Sequence, residues 1–284
     1  ATTEIYTLSL HDALPISRND LLTEIINHPD VALVVATGGR KMMSHVLCSP
    51  KRVIAGGPAN PVAIVDETAD LAKAAKDISD GASFDNNIMC ISEKCIVAVE
   101  SIVPAFVKQL EENGVYYIDN ETEMLQLTKT VLNHDMKMVR KMEGKSAMDI
   151  LEEAGIHPNR PVRLVVVRTF AKHPLVLEEC LMPVVPLVAV ADFEEALETA
   201  LFTEQGYRHT AMVHSQCIDR LSKAAKIMNT TVFIKNGSSL AGIGLNGEEM
   251  ASFTIANVTG EGITTARDFA CKRSCTLTSG FSLR

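Results

Sequence analysis

Val62-Ala63-Ile64-Val65, then a helical stretch from Thr68 to Ile78, then Cys95-Ile96-Val97-Ala98-Val99: the reading of this run decides the fold. Both apolar segments are short, continuous and rich in β-branched residues, as strands buried on both faces are. The alanine-rich stretch between them keeps its charges on one face, so it reads as a helix. Strand, helix and strand in that order predict an α/β fold with a parallel sheet and crossover helices.

The same rhythm extends in both directions. Upstream, Leu21, Leu22, Ile25 and Ile26 form a helical stripe that ends near His28-Pro29. Val31 to Ala36 reads as a buried strand leading into Thr37-Gly38-Gly39, Lys41 to Leu47 as a helix, and Val53-Ile54-Ala55 as a strand. Downstream, helices are expected over Pro104 to Glu112, Thr122 to Leu132, Ala147 to Ala154, Phe193 to Phe202 and Ile218 to Met228. Strands are expected over Val162 to Val167, Leu187 to Val190, His209 to His214 and Thr231 to Ile234. Gly237 to Gly247 is a glycine-bearing loop, and the polar stretch Asn133 to Gly144 is the candidate mobile segment. Cys275 to Leu283 has strand character without a neighbouring partner, which suits an edge or a pairing between subunits.

Residues 1 to 16, ATTEIYTLSLHDALPI, join poorly to the rest of the chain. They lack the basic and apolar regions of a signal peptide. Codon by codon they back-translate into a common sequencing-library adapter, with the leftover base opening the codon of Ser17. The natural sequence is therefore expected to start near Ser17 or Arg18, with residues 1–17 excluded from fold reasoning and upstream residues lost.

The chain has 284 residues, 46% of them hydrophobic, a formal net charge of -8 and no basic block. The mean hydropathy is +0.12 and the pI about 5.5. Such a chain has ample material for a sizeable core. Its charge argues against a nucleic-acid partner, and no apolar run reaches the ~18 residues that span a bilayer. The seven cysteines are odd in number and show no CxxC pair, as expected of reduced thiols in a cytoplasmic enzyme.

Four places carry candidate chemistry. Ser83-Phe84-Asp85-Asn86-Asn87-Ile88-Met89-Cys90 ends in a thiol at a helix–strand junction, where it can be held rigidly as a covalent catalyst or can be an inert buried cysteine. Thr37-Gly38-Gly39 after a buried strand can approach a dinucleotide or be a simple tight turn. Glu179, ahead of the proline-rich Cys180 to Pro186, can accept hydrogen bonds from ribose hydroxyls or lie solvated at a loop end. Phe233 to Gly237 and Gly242 to Gly247 are either substrate-pocket loops or ordinary turns. His209 and His214 alternate faces, so no metal pair is expected, and Cys90 with Cys95 likewise.

Taken in order, ATGG (Ala36 to Gly39), NPVAIVDETADL (Asn60 to Leu71), SFDNNIMCISEK (Ser83 to Lys94), EECLMPVVPLV (Glu178 to Val188), FIKNG (Phe233 to Gly237) and TGEGITTARDF (Thr259 to Phe269) resemble the aldehyde dehydrogenase superfamily. Within it they are similar to the CoA-acylating branch of ethanolamine and propanediol utilisation. The resemblance implies residues 18–57 as the end of a Rossmann-type NAD domain, 58–270 as the α/β catalytic domain and 271–284 as an oligomerisation tail. It implies Cys90 as the nucleophile that forms a thiohemiacetal and then a thioacyl enzyme, Thr37, Gly38 and Gly39 against the NAD cofactor, and Glu179 on its ribose. Coenzyme A would accept the acyl group. It further implies a small aldehyde substrate, a homo-oligomer, and a cytoplasmic or microcompartment-lumen location beside a shell or an alcohol dehydrogenase.

Hydrolytic members carry a glutamate ahead of a double glycine, whereas Val53-Ile54-Ala55-Gly56-Gly57-Pro58 has no carboxylate. That favours thiolysis over hydrolysis. The rival readings are a hydrolytic enzyme, a catalytically incompetent domain kept for microcompartment assembly, and a redox role for Cys90 with Cys95. Relatives often have Pro-Gly after the TGG, where this chain has Arg40-Lys41, a phosphate contact or a solvated helix start.

Overall fold

The computed structural model describes residues 19–276 and residue 278; the expected adapter segment, and the tail beyond 276 apart from 278, lie outside them. The chain begins with α1 (Asn19–Asn27), β1 (Leu33–Thr37), α2 (Arg40–Leu47) and β2 (Arg52–Gly56). β1 and β2 form a two-stranded parallel sheet of their own, with Leu33 opposite Arg52 and Thr37 opposite Gly56. Met43 and Val46 of α2 are buried, and they join Ile26, Ala36 and Ala55 in a small core.

From Val62 a larger unit follows: β3 (Val62–Val65), α3 (Leu71–Ser83), β4 (Cys95–Val99), α4 (Val103–Glu112), β5 (Val115–Ile118), α5 (Glu121–Val131) and α6 (Ala147–Glu153). It continues with β6 (Leu164–Thr169), the single turn α7 (Pro174–Leu177), β7 (Val184–Val190), α8 (Phe193–Glu204), β8 (Thr210–His214), α9 (Ile218–Met228) and β9 (Val232–Lys235). The seven strands make one parallel sheet in the order β5-β6-β7-β4-β3-β8-β9. β3 and β4 are buried at every residue, which is why they read as continuous apolar runs. Alternate residues feed opposite faces: Ala63, Val65, Ile96 and Ala98 pack with α3 and α4, while Val62, Ile64, Cys95 and Val97 pack with α8 and α9. A short antiparallel pair, β10 (Ile255–Ala256) and β11 (Gly262–Ile263), packs on β2: the Val258 N–H donates to the Ala55 carbonyl at 3.1 Å.

Three local points differ from the expectations. α3 runs on to Ser83 through Gly81, where a Cβ would strike Ser239 and Glu93. The glycine is there for packing and does not end the helix. The edge strand β5 was not expected: its two central tyrosines are only half-buried, so it lacks the continuous buried apolar run of the inner strands. Asn133 to Gly144 is anchored: Asn133 Oδ1 accepts from the N–H groups of Asp135 and Lys137, and Met142 is fully buried. Most of the strand expected over Cys275 to Leu283 lies outside the described residues, of which Cys275, Thr276 and Thr278 are the members of that stretch.

Candidate active site

Parallel pairing lines up like ends of strands, and this gathers the site. Cys90 precedes β4, Glu179 precedes β7, His209 precedes β8, and Pro58-Ala59 precedes β3; these four strands are neighbours in the order β7-β4-β3-β8. All of those residues therefore lie at the amino edge of the large sheet. Thr37-Gly38-Gly39 lies at the carboxyl end of β1 in the small sheet. The two edges meet through β2: the Gly38 N–H donates to the Gly56 carbonyl at 3.0 Å, and three residues past Gly56 the Ala59 N–H reaches Glu179 Oε2 at 3.4 Å.

The approach to Cys90 is unusual backbone. Asp85, Asn86 and Asn87 have φ of 46°, 51° and 60°, three consecutive left-handed residues. Asp and Asn tolerate that region better than other side chains, which explains the choice of residues. Such a run needs outside support. Asn86 Nδ2 donates to the Gly144 carbonyl at 2.9 Å, and Asn87 Nδ2 to the Glu93 carbonyl at 3.0 Å. Lys94 Nζ donates to the Asn87 carbonyl at 2.6 Å and to Asn87 Oδ1. On the far side, the N–H groups of Lys94 and Cys95 both donate to the Pro61 carbonyl, at 2.9 and 3.2 Å. The loop that carries Cys90 is tied at both ends.

Cys90 is half-buried. Burial pushes its thiol up, and the Glu179 carboxylate pushes it further; the Lys94 ammonium and the N–H groups of Cys90 and Ile91, which point at the sulfur, pull it back. Burial also raises Glu179, against the pull of Lys94. Lys94 itself is brought down to about 8 by burial, with Glu179, Cys180 and Cys90 opposing. The three groups share one electrostatic neighbourhood, in which the charge of each shifts the others. His209, buried and held neutral to about 4 by desolvation and by Lys94, borders it.

Cys90 and Glu179 are thus brought together, and Thr37, Gly38 and Gly39 join them only through Gly56 and Ala59. Of the three, Thr37 and Gly39 are exposed, and a Cβ on Gly39 would meet nothing within 4 Å. The space beside that turn and the half-buried Glu179 carboxylate suit a ligand with ribose hydroxyls. Arg40 is the exposed first residue of α2, as in the helix-start reading, and there it stacks over the Tyr207 ring at 5.1 Å and donates to its hydroxyl at 3.2 Å. Sequence reasoning gave Lys94 and Asn87 no role; an isolated lysine beside a fully apolar strand was the one signal for them. Among the described residues, no group of three His, Cys, Asp or Glu side chains is arranged to hold a metal. No helix of the described residues is long and apolar enough to cross a membrane.

A family model, that of the aldehyde dehydrogenase family, matches residues 11–245. The chain belongs to the aldehyde dehydrogenase family. It is 45% identical over 263 residues to the CoA-propanoylating propanal dehydrogenase of Salmonella typhimurium, covering 92% of this chain and 56% of that protein. The crystal structure of Rhodopseudomonas palustris propionaldehyde dehydrogenase with bound CoA and an acylated cysteine superposes with a TM-score of 0.88 at 40% identity, covering 91% of this chain and 59% of the other. A propionaldehyde dehydrogenase from the fucose-utilisation microcompartment of Clostridium phytofermentans does so with a TM-score of 0.88 at 38% identity, covering 93% and 61%. The large parallel α/β sheet is the fold of these dehydrogenases. The chain spans a little over half the length of the curated dehydrogenase it matches.

Proposed function

We propose that this aldehyde dehydrogenase chain is the catalytic portion of a CoA-acylating enzyme that converts a short aldehyde to its acyl-CoA, with Cys90 as nucleophile. The observation that carries the reading is a rigid, half-buried thiol facing Lys94 and two backbone N–H groups, with no carboxylate in the Val53 to Pro58 stretch to activate water. The names of its relatives, one CoA-propanoylating and one seen with CoA and an acylated cysteine, support the same chemistry.

The Cys90 thiolate adds to the aldehyde carbonyl, and the nearby N–H groups and Lys94 offset the charge that develops. NAD, when bound, supplies the hydride acceptor. Thr37, Gly38 and Gly39 would lie against it, and Glu179 would take ribose hydroxyls. The thioacyl group on Cys90 then meets the thiol of coenzyme A, which is appreciably ionised near neutral pH and needs no strong base; water would. Acyl-CoA leaves and the Cys90 thiolate is restored.

In this reading residues 18–57 close a dinucleotide-binding domain, 58–270 form the catalytic domain, and the tail 271–284 serves self-association. The Clostridium relative comes from a bacterial microcompartment, which supports a microcompartment lumen as the working location; a shell or an alcohol dehydrogenase as neighbour is part of the proposal. The test uses the longest form the gene encodes, following NADH formation from acetaldehyde and propionaldehyde with and without CoA. CoA-dependent turnover that vanishes in Cys90→Ala is expected. Full-rate turnover without CoA, or activity surviving in Cys90→Ala, overturns the assignment.

A further inference from the structure

The ladder between β4 and β7 starts at Ile96 opposite Leu187, and Cys90 and Glu179 both lie ahead of it, so strand pairing does not set their spacing. A third segment, Lys137 to Gly144, connects the two. Gly144, at φ 69°, bonds in both directions. Its N–H donates to the Leu181 carbonyl at 2.9 Å, and its carbonyl accepts from Asn86 Nδ2 at 2.9 Å. Leu181 belongs to the run that carries Glu179, and Asn86 to the loop that carries Cys90. A single residue therefore links the loop of the thiol to the segment of the carboxylate. At the other end of the stretch, Glu178 accepts from the Met138 N–H at 3.1 Å and from Lys137 Nζ at 2.8 Å. The Leu181 N–H in turn donates to Met138 Sδ at 3.2 Å. Glu179 is thus bracketed, at Glu178 and at Leu181, by the same stretch.

The stretch has its own footing. Met142 is fully buried in one core cluster with Leu132, Cys180 and Met182, and the Val139 N–H donates to the Val131 carbonyl at 2.8 Å at the end of α5. Each polar link adds little net stability by itself, but together they define one geometry. Resting on the acyl-transfer reading of Cys90, we propose that residues 137–144 are a strut that sets the spacing of Cys90 and Glu179, with Asn86 and Glu178 as positioning residues at its two ends. In that reading Cys90 carries the reacting carbon and Glu179 takes the ribose of the hydride acceptor, so the strut aligns one with the other. A misplacement of about 1 Å in such an alignment costs on the order of 10²-fold in rate. The polar composition that reads as a mobile segment is what supplies these bonds.

The test compares Asn86→Gly, Glu178→Ala and Glu178→Gln in the longest encoded form, each with and without Glu179→Gln. The readout is the factor by which Glu179→Gln changes the rate of Cys90 alkylation by iodoacetamide, followed by peptide-resolved mass spectrometry, with Tm in parallel. The Glu179 charge acts on the thiol through space, so this factor reports their spacing and not the stability of the fold. Asn86→Gly keeps the left-handed backbone and cuts the bond to Gly144; it is expected to change the factor at least about twofold. Glu178→Ala should do the same, and Glu178→Gln, which keeps an acceptor for the Met138 N–H, should recover most of the change. An unchanged factor in Asn86→Gly overturns the proposal whatever happens to Tm, and if that variant does not fold the same criterion applies to Glu178→Ala. A parent in which Glu179→Gln leaves the Cys90 rate unchanged overturns it as well. In turnover, Asn86→Gly is expected to lower kcat at least about threefold with KM for NAD held within about twofold, and an unchanged kcat overturns the alignment. If the parent enzyme shows no CoA-dependent oxidation, the functional reading fails separately, and the alkylation factor still decides the strut.

Discussion

Lys94 donates from Nζ to the main-chain carbonyl of Asn87 at 2.6 Å, so the cation that faces Cys90 also holds the left-handed turn leading to it. The positioning of the thiol and its electrostatics therefore depend on one side chain. The opposing charge comes from another element, since Glu179 arrives from the segment ahead of β7.

Charge changes at these two positions should move Cys90 in opposite directions. Lys94→Met removes the cation that lowers the thiol and should slow alkylation by iodoacetamide at neutral pH by about tenfold or less, the effect of up to one pKa unit on thiolate population. Glu179→Gln removes a charge that raises it and should speed the reaction by a similar factor. Peptide-resolved mass spectrometry is the measurement, because Cys48, Cys271 and Cys275 are exposed and react as well. Shifts in the same direction would show that the substitutions act through packing and not through charge.

Asn87→Ala should be destabilising by about 2–4 kcal/mol. It places an alanine at φ 60° and removes an acceptor from a buried ammonium. Denaturant midpoints at constant m-value give the figure. Asn86→Gly, which keeps the left-handed conformation and loses only the bond to the Gly144 carbonyl, should cost less than half as much. Equal costs would mean the backbone conformation is not what the asparagines are for.

The fold was legible where the burial pattern is regular, uniform in β3 and β4 and one-sided in α9. Val62–Val65, Cys95–Val99 and Ile218–Met228 end where the pattern places them, because their neighbours leave the periodicity undisturbed. It was less legible where a distant residue decides. Gly81 inside α3 is matched to Ser239, far away in sequence, and the segment Asn133 to Gly144 is tied to Leu181, whose carbonyl accepts from the Gly144 N–H at 2.9 Å. In the candidate site, Cys90 stood out because its motif is local. Lys94 did not, because its role depends on Glu179, reached only through the sheet order β7-β4.

The DETAD segment, one of the most family-specific strings in the chain, lies away from Cys90. Asp66 follows β3 at its carboxyl end, and its carboxylate accepts from the Thr68 N–H at 2.8 Å, the Thr68 hydroxyl at 2.6 Å, the Ser215 hydroxyl at 2.7 Å and Arg220 at 3.0 Å. Burial raises its pKa, but these bonds outweigh burial and leave it below the usual carboxylate range. Asp66→Asn should lower stability by about 2–4 kcal/mol, somewhat less than for a fully buried pair because Arg220 reaches solvent. Cys90 alkylation should remain within twofold of the parent. A large change in Cys90 reactivity would instead couple the two edges of the sheet.

The dependence of stability on pH should have an acid limb set by histidine and a shallower neutral limb set by Glu93. Burial lowers His209 and His214 to about 4 from 6.5, and a group with a depressed folded pKa contributes stability that is complete above 6.5 and lost as pH falls through 4. Each contribution is about 3 kcal/mol at 1.4 kcal/mol per pKa unit. His214→Gln, at a ring whose Nε2 has no partner in the structure, should flatten that limb relative to the parent. Glu93 behaves in the opposite sense. Burial raises it from 4.5 to about 7, so its contribution is complete below 4.5 and lost as pH rises through 7. Glu93→Gln should therefore gain on the parent between pH 5 and 8 and show no relative gain below 4.5. Urea midpoints across pH 4 to 8 distinguish the two limbs. A Glu93→Gln curve parallel to the parent throughout would mean that the carboxyl is already ionised in the fold, with its charge balanced by Lys94 next to it.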